Sequence, residues 1–183
     1  MDKMEPKKLF LTKGVGTHKD KLNSFELALR NAEIAKYNLV RVSSIFPPDA
    51  KIITRAEGLS YLSPGQIVFS VMSENSTNEP NRLISASVGV AIPQDKNQYG
   101  YLSEHHAFGM TGRHAGDYAE DMAVDMLGTT LGLEINLDKS WDENRELWKV
   151  QGKIIRSRNV TQSARGHKNG MWTTVVAAAI LIM

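Results

Sequence analysis

The sequence predicts one α+β domain, on the basis of three observations. The chain has 183 residues, 42% of them apolar, which suffices for one compact domain with a hydrophobic core. Apolar residues recur at period two in several segments, which predicts strands, and at helical period in two others. The order of these segments favours a sandwich over repeated βαβ units. No composition shift suggests a linker, so the domain should span residues 1–183.

The first three elements lie before residue 44. The segment Leu9–Thr12 predicts a short strand, which should end at a loop over Gly14–Thr17. From Asn23 onward the period is helical, and Asn23 with Glu26 three positions later is typical of a capping box. The apolar face of this helix consists of Phe25, Ala28, Leu29, Ala32 and Ala35. The helix should lead into a strand that ends at Ser43.

The middle of the chain predicts three strands and a long helix. Ile67–Met72 reads as a strand, whereas Ser73–Pro80 lacks apolar periodicity and reads as a loop. Large and small residues alternate over Ile84–Ile92, so one face of that strand should permit close packing. Tyr99–Phe108 predicts the next strand. The apolar face of the helix that follows consists of Ala115, Ala119, Met122, Ala123, Met126 and Leu127.

The C-terminal part predicts further strands. The long helix should end at Gly128 or Gly132, and the chain then becomes polar before strands near Leu147–Ile155 and Trp172–Ile182. The last strand includes the apolar run Val175–Met183. Because this run is far shorter than the ~20 residues that cross a bilayer, it should be a buried strand.

Charge and cysteine content exclude several functions. The 22 basic and 20 acidic residues are interspersed and give a formal charge of +2, so no basic stripe favours nucleic acid or an anionic membrane. A small charged metabolite fits this balance better. Without cysteine there is no disulfide framework, thiolate nucleophile or cysteine-bound metal. Residues 1–8 lack an apolar signal core, so the expected location is the cytoplasm.

The tract from Asn38 to Pro48 carries the most informative chemistry. Its β-type segment ends on two adjacent serines, Ser43 and Ser44, followed by a rigid Phe-Pro-Pro turn. The hydroxyl of Ser44 has the carbonyl of Ser43 as its immediate neighbour, so a nucleophile and an electrophile are already close together. Strain concentrated on this peptide would favour cleavage of the chain here. Alternatively, the two serines only end a strand before a proline turn.

Three further motifs accompany the serine tract. They are Asn23-Ser24-Phe25-Glu26-Leu27-Ala28-Leu29, Ile84-Ser85-Ala86-Ser87-Val88-Gly89-Val90-Ala91-Ile92-Pro93 and Gly100-Tyr101-Leu102-Ser103-Glu104. In order and approximate spacing, the four motifs together resemble those of the pyruvoyl-dependent arginine decarboxylase family. The resemblance covers most of residues 9–133 and returns weakly in the apolar C-terminal tail.

The resemblance implies both a fold and an activity. The implied fold is a four-layer αββα sandwich in a trimer, or a dimer of trimers, with active sites between subunits. The implied enzyme is a carbon-carbon lyase that decarboxylates L-arginine to agmatine and CO2. The same chemistry on another amino acid is one alternative, and an uncleaved oligomeric scaffold is another.

The resemblance further implies that the chain makes its own cofactor. Ser44 would attack the carbonyl of Ser43, and β-elimination would then separate residues 1–43 from residues 44–183. Hydrolytic loss of ammonia leaves a covalently bound pyruvoyl group at position 44. The α-amine of the substrate condenses with this ketone to a Schiff base, and the group accepts the electrons released with CO2, as pyridoxal phosphate does elsewhere.

The remaining site residues are also assigned by the resemblance. Glu104 corresponds to the catalytic acid that protonates the product, and its alternative role is that of an exposed glutamate on an edge strand. Glu26 corresponds to the carboxylate that binds the guanidinium of arginine, and its alternative is the helix cap. Leu29 would line the aliphatic part of the substrate, with polar contacts from Asn38 and Ser43; otherwise Leu29 is core and Asn38 begins a strand. No metal is predicted, because the histidines lack HExxH spacing.

Overall fold

The computed structural model describes residues 4–133, 142–143, 146 and 154–183. The strands are β1 (Lys8–His18), β2 (Asn38–Arg41), β3 (Ile45–Phe46), β4 (Lys51–Ile52), β5 (Ile67–Thr77), β6 (Leu83–Pro93), β7 (Gly100–Phe108), β8 (Ile154–Arg165) and β9 (Trp172–Ile182). The helices are α1 (Lys21–Asn31), α2 (Arg55–Ser60) and α3 (Gly112–Thr130). These elements confirm the α+β class.

The strands form two sheets. The order of the five-stranded sheet is β2-β5-β9-β1-β4, and that of the four-stranded sheet is β3-β7-β6-β8. In the first sheet β9 is antiparallel to both β1 and β5, while β2 and β4 are short parallel strands at its two edges. In the second sheet β6 is antiparallel to both β7 and β8.

Three apolar clusters hold the sheets and helices together. The first contains residues of both sheets, such as Val71 and Leu102, and therefore lies between them. The second lies between the five-stranded sheet and α1, and the third lies between the four-stranded sheet and α3. Alternate residues of β9 enter the first and second clusters, so this strand is buried on both faces. That burial explains its continuous apolar run and confirms the predicted final strand.

Close contact between α1 and β1 overturns the predicted loop at Gly14–Thr17. Both Gly14 and Gly16 lie inside β1, which continues to His18. A Cβ atom on Gly14 would lie 2.1 Å from the carbonyl oxygen of Ala28 in α1, and one on Gly16 would lie 2.2 Å from that of Ser24. The glycines therefore let a helix approach the strand, and they do not form a turn.

The predicted capping box is also wrong. Helix α1 begins at Lys21, and its N-cap is Asp20 in extended geometry. Asn23 therefore lies within the first turn, and Glu26 lies one turn further along. Because Glu26 is not at the third position after the N-cap, its alternative role as a cap is removed.

Most of the other differences between the predicted and the observed elements concern strands of polar sequence. The predicted loop Ser73–Pro80 is strand as far as Thr77, and β8 is a strand that its polar sequence did not predict. Helix α2, capped by the hydroxyl of Thr54, was likewise not predicted. Of the strand expected near Leu147–Ile155, residues 147–153 lie outside the described residues.

The small-residue face of β6 has the close packing that the sequence predicts. A Cβ atom on Gly89 would lie 2.1 Å from the carbonyl oxygen of Ala119 in α3. The same helix ends at Thr130, and Gly132 follows with a positive φ of 68°, as expected of a glycine that ends a helix.

Candidate active site

The connection between β2 and β3 crosses from one sheet to the other at Ser43 and Ser44. The last hydrogen bond to the five-stranded sheet is donated by the amide of Val42 to the carbonyl of Ser70, at 3.0 Å. The carbonyl of Ser44 then accepts from the amide of Leu102 in the four-stranded sheet, at 2.8 Å. The peptide bond between the two serines therefore lies between these two anchoring hydrogen bonds.

The local geometry of this peptide suits attack on its carbonyl. The carbonyl oxygen of Ser43 accepts a hydrogen bond of 2.9 Å from the amide of Ile45. Such a donor polarises the carbonyl and stabilises negative charge that develops on its oxygen. Ser43 is exposed, whereas Ser44 is half-buried. Ser44 is held in place through its backbone carbonyl, which accepts from Leu102.

Glu104 lies at the same junction between the sheets. It is two residues after Leu102 in β7, so the two side chains are on one face of the strand. Its Oε1 atom accepts a hydrogen bond of 3.2 Å from the amide of Met72 in β5. Because β2 has left β5 after Val42, the carboxylate takes the place of the next backbone acceptor. The structure thus brings Ser44 and Glu104 to one edge, where Glu104 is exposed in the single chain.

Two side chains that the sequence did not single out hold this junction together. The hydroxyl of Ser73 donates to the carbonyl of His105 at 2.7 Å, and the side-chain amide of Asn75 donates to the carbonyl of Ala107 at 3.0 Å. Both acceptors are in β7, so β5 is tied to the edge of the other sheet next to Glu104. Ser73 and Asn75 are two residues apart and therefore lie on one face of β5. Because Glu74 and Ser76 are polar as well, no alternation of polar and apolar residues marks that face in the sequence.

The predicted substrate-binding residues of α1 lie elsewhere in the chain. Leu29 is 8% exposed and belongs to the cluster between α1 and the five-stranded sheet. Glu26 lies about 200° around the helix from the buried Ala28, so it faces away from the sheet. Its carboxylate pairs with Arg30 at 3.0 Å, and both side chains are exposed. Within one chain, the structure does not bring Glu26 or Leu29 together with Ser44.

Asn38 lies at the opposite end of β2 from the serines. Its side-chain amide donates to the carbonyl of Gly65 at 2.6 Å, and its backbone amide donates to the carbonyl of Gln66 at 2.9 Å. Asn38 lies five positions before Ser43, which corresponds to roughly 16 Å of extended chain. In the single chain Asn38 therefore fixes the start of β2.

His105, the neighbour of Glu104, is on the other face of β7. Its ring lies 4.5 Å from the ring of Tyr118 in α3, measured between centroids, and its Nε2 atom is buried without a hydrogen-bond partner. Burial lowers the pKa of His105 below its ordinary value, and the nearby charge of His106 lowers it further. Within the described residues there is no group of three His, Asp or Glu side chains suited to hold a metal, and none of the described helices is long and apolar enough to cross a membrane.

The family model and the relatives found by comparison with known proteins all carry the same description. Residues 8–183 match the family model of pyruvoyl-dependent arginine decarboxylases. The chain is 62% identical over 177 residues to a probable pyruvoyl-dependent arginine decarboxylase of Chloroherpeton thalassium, with 97% of each chain covered. It is 59% identical over 177 residues to the pyruvoyl-dependent arginine decarboxylase of Nitrosopumilus maritimus, again with 97% of each covered. Pyruvoyl-dependent arginine decarboxylase 2 of Methanosarcina acetivorans is 55% identical over 179 residues, with 98% of each covered.

Proposed function

We infer that this chain, which belongs to the pyruvoyl-dependent arginine decarboxylase family, converts L-arginine to agmatine and CO2 with a covalently bound pyruvoyl group. The similarity extends over 97% of both chains, so it includes every described element of the site. The observation that carries the proposal to particular residues is the crossing of Ser43 and Ser44 between the two sheets, next to Glu104.

Ser44 is the proposed source of the pyruvoyl group. Its hydroxyl oxygen attacks the carbonyl carbon of Ser43, and the amide of Ile45 stabilises the resulting oxyanion. The C–N bond breaks to give an ester, and β-elimination breaks the bond between Oγ and Cβ. Residues 1–43 leave as a carboxylate, and the new residue 44 takes up one water and releases one ammonia. Strand anchors on both sides hold the two ends in place during these steps.

Glu104 is the proposed acid of the decarboxylation. When present, the pyruvoyl group supplies a carbonyl that binds the substrate amine and accepts the electron pair released with CO2. A carboxylic acid is then needed to deliver one proton to the carbon that has lost CO2. The hydrogen bond from Met72 fixes one oxygen of Glu104 and leaves the other free for that role.

The substrate guanidinium is proposed to bind Glu26 from a neighbouring copy of the chain. Glu26 faces away from its own sheet, and Leu29 and Asn38 are also remote from Ser44 in one chain. Active sites between subunits of a trimer, or of a dimer of trimers, would bring these residues to the Ser43 terminus. The two sheets with helices α1 and α3 on them support a four-layer αββα sandwich for each copy, and a cytoplasmic location is proposed with it.

Intact-mass measurement under denaturing conditions tests the proposal. We expect the purified protein to give two masses, for residues 1–43 and for a pyruvoyl-blocked fragment 44–183. Ser44→Ala should remain one chain because it lacks the attacking oxygen. Ser43→Ala is the matched control, since it keeps the carbonyl and should still be cleaved. An uncut wild-type chain that nevertheless produces agmatine would refute this origin of the cofactor.

A substrate panel tests the assignment of arginine. We expect the processed enzyme to release CO2 from arginine much faster than from lysine or ornithine, because only arginine presents a planar guanidinium to a carboxylate. A preference for another amino acid would leave the pyruvoyl chemistry in place and overturn the substrate.

A further inference from the structure

A cavity of about 430 Å³ begins at Phe46, two residues after Ser44, and neither Ser44 nor Glu104 is among the residues that line it. Its walls come from the chain between β3 and β4, the hairpin between β6 and β7, and the start of β8. Part of the lining is apolar and includes Phe46, which is 2% exposed, and Ile92, which packs against the cluster between the sheets. The cavity therefore has an apolar wall that continues the core.

Two exposed arginines line this cavity, and both are on one face of β8. Arg156 is paired with Ile92 across the sheet, and Arg158 is paired with Val90. Paired residues of antiparallel strands share one face, so both arginines are on the side of β8 that faces the five-stranded sheet. Val160, the next residue on that face, packs against the cluster between the sheets. The arginines thus form the exposed, charged end of a face that continues with Val160, Gln162 and Ala164.

The cations that line the cavity outnumber its carboxylates. Lys51 and Lys96 line it together with the two arginines, whereas the carboxylates are those of Asp49 and Asp95. The carboxylate of Asp95 accepts a hydrogen bond of 2.9 Å from the amide of Asn97 in its own hairpin. Within the described part of the chain, none of the four cations forms an ion pair. All four cations are exposed, so an anion from solution can reach them.

The spacing of the arginines fits a phosphate group. Residues two apart on a strand are separated by roughly 7 Å, so two guanidinium groups can contact one tetrahedral anion from two sides. Arginine is well suited to this contact because its planar fork matches phosphate oxygens. A volume of about 430 Å³ leaves space for an organic part next to Phe46 and Ile92.

We propose that this cavity is a second binding site, which takes a small phosphate ester whose phosphate contacts Arg156 and Arg158 and whose apolar part lies against Phe46. Its lining includes neither Ser44 nor Glu104, and binding there does not depend on the decarboxylase activity. All of its residues belong to the fragment 44–183, so cleavage at Ser44 leaves the site in one chain.

Calorimetric titration of the processed protein with phenyl phosphate, at constant ionic strength, tests the proposal. We expect saturable binding that inorganic phosphate displaces, with phenol alone failing to bind. At a concentration 100 times Kd, the ligand should raise Tm by roughly 5–10 °C. Absence of saturable binding, or equal binding of phenol, would overturn the proposal.

Matched variants locate the site. Arg156→Gln and Arg158→Gln should each weaken binding by about 10–100-fold, because each removes charge-assisted hydrogen bonds to the phosphate. Arg113→Gln makes the same change of charge on an exposed position of α3 and should bind as the wild type does. Lys96→Gln, in the exposed hairpin, is a second test that leaves β8 intact, and it should also weaken binding. Equal binding by all four variants would refute this location, whatever the decarboxylase activity.

Discussion

Substitution of Glu104 separates its proposed catalytic role from its structural one. In the structure Glu104 accepts one hydrogen bond, from the amide of Met72 at 3.2 Å. Glu104→Gln keeps an acceptor oxygen at nearly the same volume, so we expect Tm to remain within about 2 °C of the wild type. Glu104→Ala removes the acceptor, which costs about 0.5–1.5 kcal/mol because water can partly replace it at this exposed position. That corresponds to a fall in Tm of roughly 1–6 °C.

Turnover should respond differently from stability. Neither Gln nor Ala can donate a carboxylic proton, so both variants should lose about 10²–10⁴-fold in kcat. This loss corresponds to about 3–5 kcal/mol of transition-state stabilisation, well above the cost of the lost hydrogen bond. The expected pattern is therefore an equal kinetic defect in two variants of unequal stability.

The assay is the initial rate of agmatine formation at saturating arginine, per mole of cleaved chain measured by intact mass. Glu79→Gln, an exposed glutamate in the turn after β5, is the control and should keep wild-type turnover. Wild-type turnover in fully cleaved Glu104→Gln would remove Glu104 from the chemistry. A defect in Glu104→Ala alone, in step with its lower Tm, would show that Glu104 only holds the junction between the sheets.

Three other predictions follow from the same structure. Glu26→Gln should hardly change Tm, because Glu26 pairs only with the exposed Arg30. It should lower kcat/KM for arginine by about 30–5,000-fold, which corresponds to a loss of about 2–5 kcal/mol for a buried pair with the substrate. Unchanged kinetics would exclude Glu26 from recognition. The lowered pKa of His105 means that the fold disfavours its protonation, so stability should be full above about pH 6.5 and should fall as the pH decreases below that value. His105→Phe keeps a ring at this position and should flatten the decrease of Tm between about pH 7.5 and 5.5, and identical pH profiles would contradict that role. Gly16→Ala should lower Tm by several degrees, since its Cβ would lie 2.2 Å from the carbonyl oxygen of Ser24 and the overpacking costs about 1–3 kcal/mol; an unchanged thermal melt would show that α1 can shift freely.

Local chemistry decided what the sequence predicted correctly. The apolar run of β9 and the helical period of α3 depend on residues that are close together in the chain, so both were visible without a structure. The alternation of large and small residues in β6 also predicted the close approach that Gly89 permits. The adjacency of Ser43 and Ser44 is a property of the covalent chain alone. These features required no knowledge of which elements pack together.

Contacts between distant residues decided the remainder. The glycines of β1 looked like a loop because the helix that requires them, α1, contacts the strand only in the folded chain. The polar end of β5 looked like a loop because Ser73 and Asn75 find their acceptors in β7, 32 residues away. The same holds for the site, since Glu104 reaches the junction at Ser44 only when β7 lies beside the end of β2. The sequence determined which groups can react. The packing of the two sheets decided which of these groups meet, because hydrogen bonds between the sheets depend on position in space and not on distance along the chain.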